Sequence, residues 1–382
     1  MVDFNSSQLN DPVLKSVVEA LQKQYKEVDE LITCVDPDKI AGEPSIKTGS
    51  IALDKALGIG GVPKGRTTLI CGEPATAKST LCMSIVKQSQ IANPEKTNIY
   101  VDMEAGAFTD QYAYNMGLDI DPNKLLIVKP TYAEQAFVAI QNLISTGKVG
   151  VCVWDSLGGA LTKEEMGDTA EDNASRAGLA RLLSTELKRL SPLLGKTGTT
   201  MLVVSQIRTQ MSQHVTWKDI SGGWAQKFFA SVRIDLAKKE KPKDFTGKVD
   251  RETIVARITK NKVGSPYKEA EFEIKFGEGI IVESGILYLA NQEGIVSITN
   301  NGWVSFPDLE TGEEIAKLRS KELAVEYLVE NPDYAEALEN RILGYHRETE
   351  YEQTGLDAVE FDYEETVIKD EEDSIPEDVL NA

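Results

Sequence analysis

The spacing of apolar residues changes character along the chain. Val13, Leu14, Val17, Val18, Leu21, Tyr25 and Val28 recur at helical spacing over residues 11–28, as on one face of a helix. Asp11 is suited to cap that helix and Pro12 to its first position. Such a helix either packs on its own core or docks on a neighbouring copy. After about Ile46 short continuous apolar runs take over, at 67–71, 98–102, 125–128, 149–155, 200–205 and 232–236. Helical stretches near 80–91, 109–117, 133–146 and 175–193 separate the first five. Alternation of this kind predicts an α/β fold with a twisted, mostly parallel central sheet covered by helices. Ligands of such sheets bind beyond the C-terminal ends of the strands, so the strand ends are where chemistry is expected.

The end of the first run is Gly72-Glu73-Pro74-Ala75-Thr76-Ala77-Lys78-Ser79-Thr80. Strand, loop and helix in that order suit a phosphate-binding loop. Loop N–H groups and the helix N-terminus cradle phosphate oxygens. Lys78 reaches the β- and γ-phosphates, and the Ser79 hydroxyl ligates Mg²⁺. Ala77 stands where a second glycine is usual, and alanine tolerates positive φ less well. Taken alone, the loop also reads as an ordinary glycine-containing turn.

Three more strand ends bear polar groups. Asp155 closes the run 149–155 and would hold Mg²⁺ directly or through water, opposite Ser79; a capping Asp is the plainer alternative. Tyr100-Val101-Asp102-Met103-Glu104 ends with two carboxylates, and Glu104 is the candidate to polarise an attacking water. Gln206 can sense a γ-phosphate, although spacing alone does not reject a plain surface Gln. Beyond it, 207–226 reads as a long irregular loop with Arg208, His214, Trp217, Lys218, the pair Gly222-Gly223, and Trp224. Long irregular loops are functional or disordered, and aromatics beside cations suit single-stranded nucleic acid. The acidic segment 163–175 reads as mobile.

Charge and composition alter this picture little. The 382 residues carry a net charge of −20, which argues against nucleic acid at first sight. Residues 347–382 hold fourteen acids and two bases, however, leaving −8 for the rest. That block reads as a disordered acidic tail, so the net charge does not exclude DNA. Cys34, Cys71, Cys82 and Cys152 are scattered, and His214 and His346 are the only histidines. Reduced thiols in a cytoplasmic protein are expected, with neither a zinc site nor a disulfide framework. No apolar run approaches the ~20 residues of a membrane span, and no secretion signal is expected at Met1-Val2-Asp3-Phe4-Asn5.

In this order the motifs resemble the bacterial RecA recombinases and their phage relatives. The matching stretches include Thr48-Gly49-Ser50-Ile51-Ala52-Leu53-Asp54, the phosphate loop, Asp102 with Glu104, Asp155-Ser156 and Ser205-Gln206-Ile207-Arg208. Lys227-Phe228-Phe229-Ala230-Ser231-Val232-Arg233, Lys260-Asn261-Lys262, Ala270-Glu271-Phe272 and Gly277-Glu278-Gly279-Ile280 follow. The likeness runs from about residue 11 to 343. It implies a RecA-like P-loop NTPase core at 47–280, an N-terminal docking helix and linker at 1–46, a small C-terminal α/β domain at 281–346 and an acidic tail at 347–382.

The resemblance further implies an ATP-dependent recombinase that forms a filament on single-stranded DNA and exchanges strands with a homologous duplex. ATP and Mg²⁺ would lie between subunits. Glu104 would be the base, Tyr112 would stack on adenine, and Gln206 would couple ATP to DNA. Lys260 and Lys262 would reach the neighbour's γ-phosphate, and Phe228 would sit at the subunit interface. The DNA loops would be 163–175 and 208–226, with Arg176, Arg181, Arg208, Trp217, Lys218, Gly222, Gly223, Trp224 and Lys227 toward DNA. Single-strand-binding and mediator proteins are implied partners. Departures are Ala77, Ser205 where bacterial members have Asn, a longer and more acidic first loop, Arg176 in place of an apolar residue, and one extra residue between Glu104 and Tyr112; they suggest a phage-encoded or divergent member. Two alternatives stay open: a ring helicase motor, and an ATP-liganded coating filament with little turnover.

Overall fold

Strands that are apolar along their whole length are buried on both faces, and the six apolar runs form the parallel part of one sheet, with 125–128 at its edge. The computed structural model describes residues 2–3, 11–24, 33–34, 44–104, 106–167, 178–211, 216–220, 224–239 and 250–343. The chain divides into two units, 1–344 and 345–382. The second unit, and with it the expected acidic tail, lies outside the described residues.

Two short antiparallel pairs come first, β1 (Val2–Asp3) with β2 (Thr33–Cys34) and β3 (Ser45–Ile46) with β4 (Val62–Pro63). The central sheet then collects β5 (Thr67–Gly72), β6 (Thr97–Asp102), β7 (Leu125–Val128), β8 (Val149–Asp155) and β9 (Thr200–Met211). It continues with β10 (Thr216–Ile220), β11 (Val232–Lys238), β12 (Arg251–Asn261), β13 (Glu269–Lys275) and β14 (Gly279–Ile281). The order is β14-β13-β12-β11-β5-β9-β8-β6-β7, with β10 paired to β9. From β11 to β7 all pairings are parallel, and β12, β13 and β14 extend the sheet antiparallel.

Alternate residues face opposite sides of each strand, so the sheet has two cores. On one face Tyr100, Val151, Val153, Leu202 and Val204 pack with Leu81 and Ile85 of α3 (Lys78–Ala92). On the other, Ile99, Val101, Trp154 and Val203 pack with α5 (Ala133–Ser145) and α7 (Gly178–Thr197); the Phe137 and Trp154 ring centroids are 4.7 Å apart. The first core continues into the C-terminal segment through Val304, Phe306, Leu328 and Leu338. That segment consists of α9 (Val282–Gln292), a three-stranded sheet, α10 (Lys321–Glu330) and α11 (Pro332–Leu343). Lys55, on α2 (Ile51–Leu57), ties it to the core through Glu293 and the Ile342 carbonyl.

Asp54, also on α2, is buried. Its Oδ1 accepts hydrogen bonds from the Thr48 N–H (2.8 Å) and hydroxyl (2.7 Å). Burial outweighs these bonds and pushes its carboxyl up to about 7.

Two expectations need correction. The stretch 207–226 is partly regular: β9 runs on to Met211 and pairs antiparallel with β10, Thr216 opposite Met211 and Ile220 opposite Ile207. Trp224–Phe229 then forms α8. The β-branched and aromatic residues Ile207, Thr209, Val215, Thr216 and Trp217 favour pairing, a signal that the charges among them and the glycines after them mask. Residues 212–215 and 221–223, including Gly222 and Gly223, lie outside the described residues. The segment 163–175 opens as a short helix, α6 (Lys163–Gly167), and 168–177, with Arg176, lies outside the description.

The N-terminal helix α1 spans Pro12–Gln24. The Asp11 carboxylate accepts from the Val13 and Leu14 N–H groups at 2.8 and 3.1 Å, capping it as expected. Val13, Leu14 and Val17 are 70, 56 and 51% exposed.

Candidate functional site

Parallel register brings the polar strand ends together. Gly72 pairs with Gln206, and Asp102 with Asp155. The phosphate loop, Glu104, Asp155 and Gln206 therefore lie side by side where the parallel pairing of four neighbouring strands ends.

The loop is shaped for something other than side chains. A Cβ on Gly72 would stand 2.3 Å from Thr76 Oγ1 and 2.8 Å from the Leu236 carbonyl, so only glycine fits. Ala75 and Ala77 both take left-handed backbone, at φ 59° and 63°. Alanine is strained there by about 1 kcal/mol relative to glycine. This conformation at Ala77 is what lets α3 begin at Lys78. No side chain caps α3 and its first turn has no acid, which leaves its N–H groups aimed at the loop. Lys78 Nζ donates to the Glu73 carbonyl at 2.7 Å. Burial holds its ammonium below the usual lysine range, against the pull of Asp155 and Glu104. Thr76 Oγ1 closes the turn on the same carbonyl at 2.8 Å.

The strand-end groups are bonded to one another. Ser79 Oγ donates to Asp155 Oδ2 at 2.5 Å, and Tyr100 Oη donates to the same oxygen at 2.6 Å. Burial lifts the Asp155 carboxyl above its ordinary range. Glu104 Oε1 accepts from Ser156 Oγ and, at 3.0 Å, from Gln206 Nε2. The Met103 N–H to Asp155 carbonyl bond (2.8 Å) carries β6–β8 pairing up to this glutamate. A Cβ on Gly159 would press on Glu104 Cγ at 2.9 Å. Tyr112 Oη and Thr80 Oγ1 are 2.8 Å apart, which fixes the ring beside α3. A helix N-terminus with no side-chain cap, an ammonium and a hydroxyl beside a carboxylate make up the donor set. These residues fit a nucleoside triphosphate with Mg²⁺.

Tyr100 and Ser156 fall within the sequence motifs, but the motifs alone give them no role. Period-two alternation could have flagged Tyr100: it shares a strand face with Asp102 and, through β8, with Asp155. Ser156 carries no such signal, because its contact depends on how the chain turns after β8.

The other expected residues lie elsewhere. Lys260 is the last residue but one of β12, where it pairs with Arg233, which in turn pairs with Leu69 near the start of β5. The phosphate loop leaves the far end of β5. The two lie on the order of 10 Å apart along the strands and two strands apart across the sheet. Lys260 Nζ donates to the Lys227 and Phe228 carbonyls at 2.7 and 3.1 Å. Burial, then the charge of Lys262, lowers its pKa. Neither Lys260 nor Lys262 forms an ion pair among the described residues. Phe228 is 73% exposed and meets Phe229 edge-on, centroids 5.4 Å apart. Arg181 is exposed on α7. Arg208 lies on β9, Trp217 and Lys218 on β10, and Trp224 and Lys227 on α8.

Comparison with known proteins adds an independent line. The profile of the RecA N-terminal domain family matches residues 13–281. The chain is 36% identical over 302 residues to Protein RecA of a Nitratiruptor species, covering 78% of this chain and 83% of that one. It is 34% identical over 320 residues to Protein RecA of Streptomyces coelicolor, covering 82% of each. With Protein RecA of Kineococcus radiotolerans the identity is 36% over 299 residues, 78% of this chain and 82% of the other.

Proposed function

The chain belongs to the RecA family, and on that premise we propose that the strand-end cluster is its ATP site and the β12–α8 edge completes the site of the next copy. The protein is an ATP-dependent DNA recombinase and a DNA-dependent ATPase, active in recombination and repair. It binds nucleotide and DNA and forms homo-oligomeric filaments.

The residues divide the work as follows. The N–H groups from Gly72 to Thr80 hold phosphate oxygens, and Lys78 leaves the Glu73 carbonyl for the β- and γ-phosphates. Tyr112 lies against the adenine. Ser79 and Asp155 hold Mg²⁺, which when bound neutralises charge developing on the transferred phosphate. Glu104 orients the attacking water and takes its proton. Both of its hydrogen bonds fall on Oε1, which leaves Oε2 for that proton. Gln206 Nε2 donates to Glu104 Oε1. Turning to a γ-phosphate, it would pull on β9, which continues as a hairpin that could meet DNA. Arg176, Arg181, Arg208, Trp217, Lys218, Gly222, Gly223, Trp224 and Lys227 are proposed for that DNA, chiefly for its phosphates and by stacking.

One observation carries the two-chain site: Lys260 and Lys262 sit at the opposite end of β5 from their own phosphate loop. A second copy is the natural recipient of these lysines, with Phe228 and the apolar face of α1 as contacts. Such a head-to-tail interface that does not close gives a filament.

Joint-molecule formation tests the function. With a single strand, supercoiled duplex, ATP and Mg²⁺, product is expected with the homologous duplex and not with an unrelated one. Unwinding of a forked duplex without pairing would overturn the assignment in favour of a motor. Single-strand-binding and mediator proteins are proposed partners, and the cytoplasm is the proposed setting. No helix among the described residues is long and apolar enough to cross a membrane.

A further inference from the structure

Tyr100 is fully buried on β6, with its ring against Phe108 at a centroid distance of 5.1 Å. The cluster around it, Val151, Val153 and Leu81, is apolar and has no use for a hydroxyl. Burying that hydroxyl without a partner would cost about 1–3 kcal/mol, and buried tyrosines find one. The partner here is Asp155, through Oδ2 at 2.6 Å. Ser79 donates to the same oxygen at 2.5 Å, so Asp155 Oδ1 has no donor among the described residues.

The two donors are not equivalent. Ser79 stands in a loop and itself offers oxygen to a cation. Tyr100 is held by a packed ring on a central strand and does not depend on what occupies the loop. Its hydroxyl is therefore a fixed reference for the carboxylate, the arrangement in which a neighbour of a metal ligand sets the ligand's orientation.

We propose that Tyr100 is a positioning residue of the Mg²⁺ site: its hydroxyl holds Asp155 by Oδ2 and turns the carboxylate toward the cation beside Ser79. This rests on the reading of Ser79 and Asp155 as the Mg²⁺ site. The residue acts through Asp155 and touches neither nucleotide nor water in the reaction. Tyrosine rather than phenylalanine at this position thus sets how much free Mg²⁺ the chain needs to hold a nucleotide.

The test is Tyr100→Phe in the full chain, which removes one oxygen and keeps the ring. Binding of a fluorescent ATP analogue is titrated with Mg²⁺, and again in EDTA. The Mg²⁺ midpoint is expected to rise about tenfold. Affinity for the analogue in EDTA, and the melting temperature without nucleotide, are expected to stay as in the unaltered chain. An unmoved Mg²⁺ midpoint overturns the proposal, whether or not the melting temperature falls, because the hydroxyl then serves the core alone. Equal loss of affinity with and without Mg²⁺ overturns it too. Asp155→Asn is run alongside and is expected to lose most Mg²⁺ dependence. Normal Mg²⁺ dependence in Asp155→Asn would remove the metal-site reading itself. Loss in Asp155→Asn with no change in Tyr100→Phe would remove only the role given to Tyr100.

Discussion

At the C-terminal ends of β5, β6, β8 and β9 the polar side chains bond to one another: Ser79 and Tyr100 to Asp155, Ser156 and Gln206 to Glu104. Lys260 and Lys262, at the end of β12, have no such side-chain partners among the described residues. Lys260 meets only carbonyls, and Phe228 stands 73% exposed. Around Asp155 the first region is assembled by burial, because a buried carboxylate at the end of an inner strand needs donors close by, while Glu104 takes its two donors at the surface. The second keeps Lys260, Lys262 and an aromatic outside any such network. A cation that must bind a phosphate from another molecule cannot already be paired with a carboxylate of its own. On the proposed two-chain site, the contrast separates what one chain would do alone, hold a nucleotide, from what would need two, turn it over.

The sharpest way to break this comparison is to remove the outward cations. Lys260→Ala with Lys262→Ala should lower DNA-stimulated ATP turnover by about 10³-fold or more, the scale of cationic groups supplied in trans. Nucleotide affinity of the isolated chain should not change. Mixed with Glu104→Ala chains, the lysine variant should regain activity at the about one quarter of interfaces where Glu104 and both lysines are intact. No regain in the mixture would place the lysines in their own chain's site.

Glu104→Ala comes next, with an expected loss of 10²–10⁴-fold in turnover, on the order of a general base. ATP binding should persist in equilibrium titration. If binding is lost instead, Glu104 serves the architecture of the β6 end.

A third change probes burial away from either region. Asp54 has a folded pKa raised to about 7 from an ordinary 3.8. The folded state then holds its proton more tightly than the unfolded state. That contribution to stability is full below about pH 4 and is lost as the pH rises through about 7. Asp54→Asn keeps an oxygen for Thr48 and cannot ionise. It should flatten the decline of melting temperature between pH 5 and 8 and gain at most about 4 kcal/mol over the native chain at the upper end. An identical pH profile in both chains would show that Asp54 is not the group that titrates.

The smallest effect is expected inside the phosphate loop. Ala77→Gly relieves a left-handed alanine and should stabilise the chain by about 1 kcal/mol in denaturant titration. A loss of stability would mean that the greater freedom of the unfolded glycine chain outweighs the strain.

How far such features were legible in the sequence depended on their distance along the chain. The phosphate loop and the strand ending in Asp155 were legible, because strand, loop and helix are consecutive and their pattern is local. So was the capped helix at Pro12. The β9–β10 hairpin was not, since its pairing residues are interleaved with charged and amide side chains and followed by Gly222-Gly223, which read as loop. Ser156 on Glu104 and Tyr100 on Asp155 were not either, as each joins residues more than fifty positions apart.

By itself the sequence determined the alternation of strands and helices, the loop between β5 and α3 and the family, because these rest on period, on small residues at a turn and on short motifs. Only the tertiary structure decided which donors share an oxygen of Asp155 or Glu104. It alone decided that Lys260 and its own phosphate loop occupy opposite ends of one sheet. The physical reason is register: a parallel sheet aligns strand ends that are remote in the chain, and an antiparallel strand added at its edge carries its last residues to the other side.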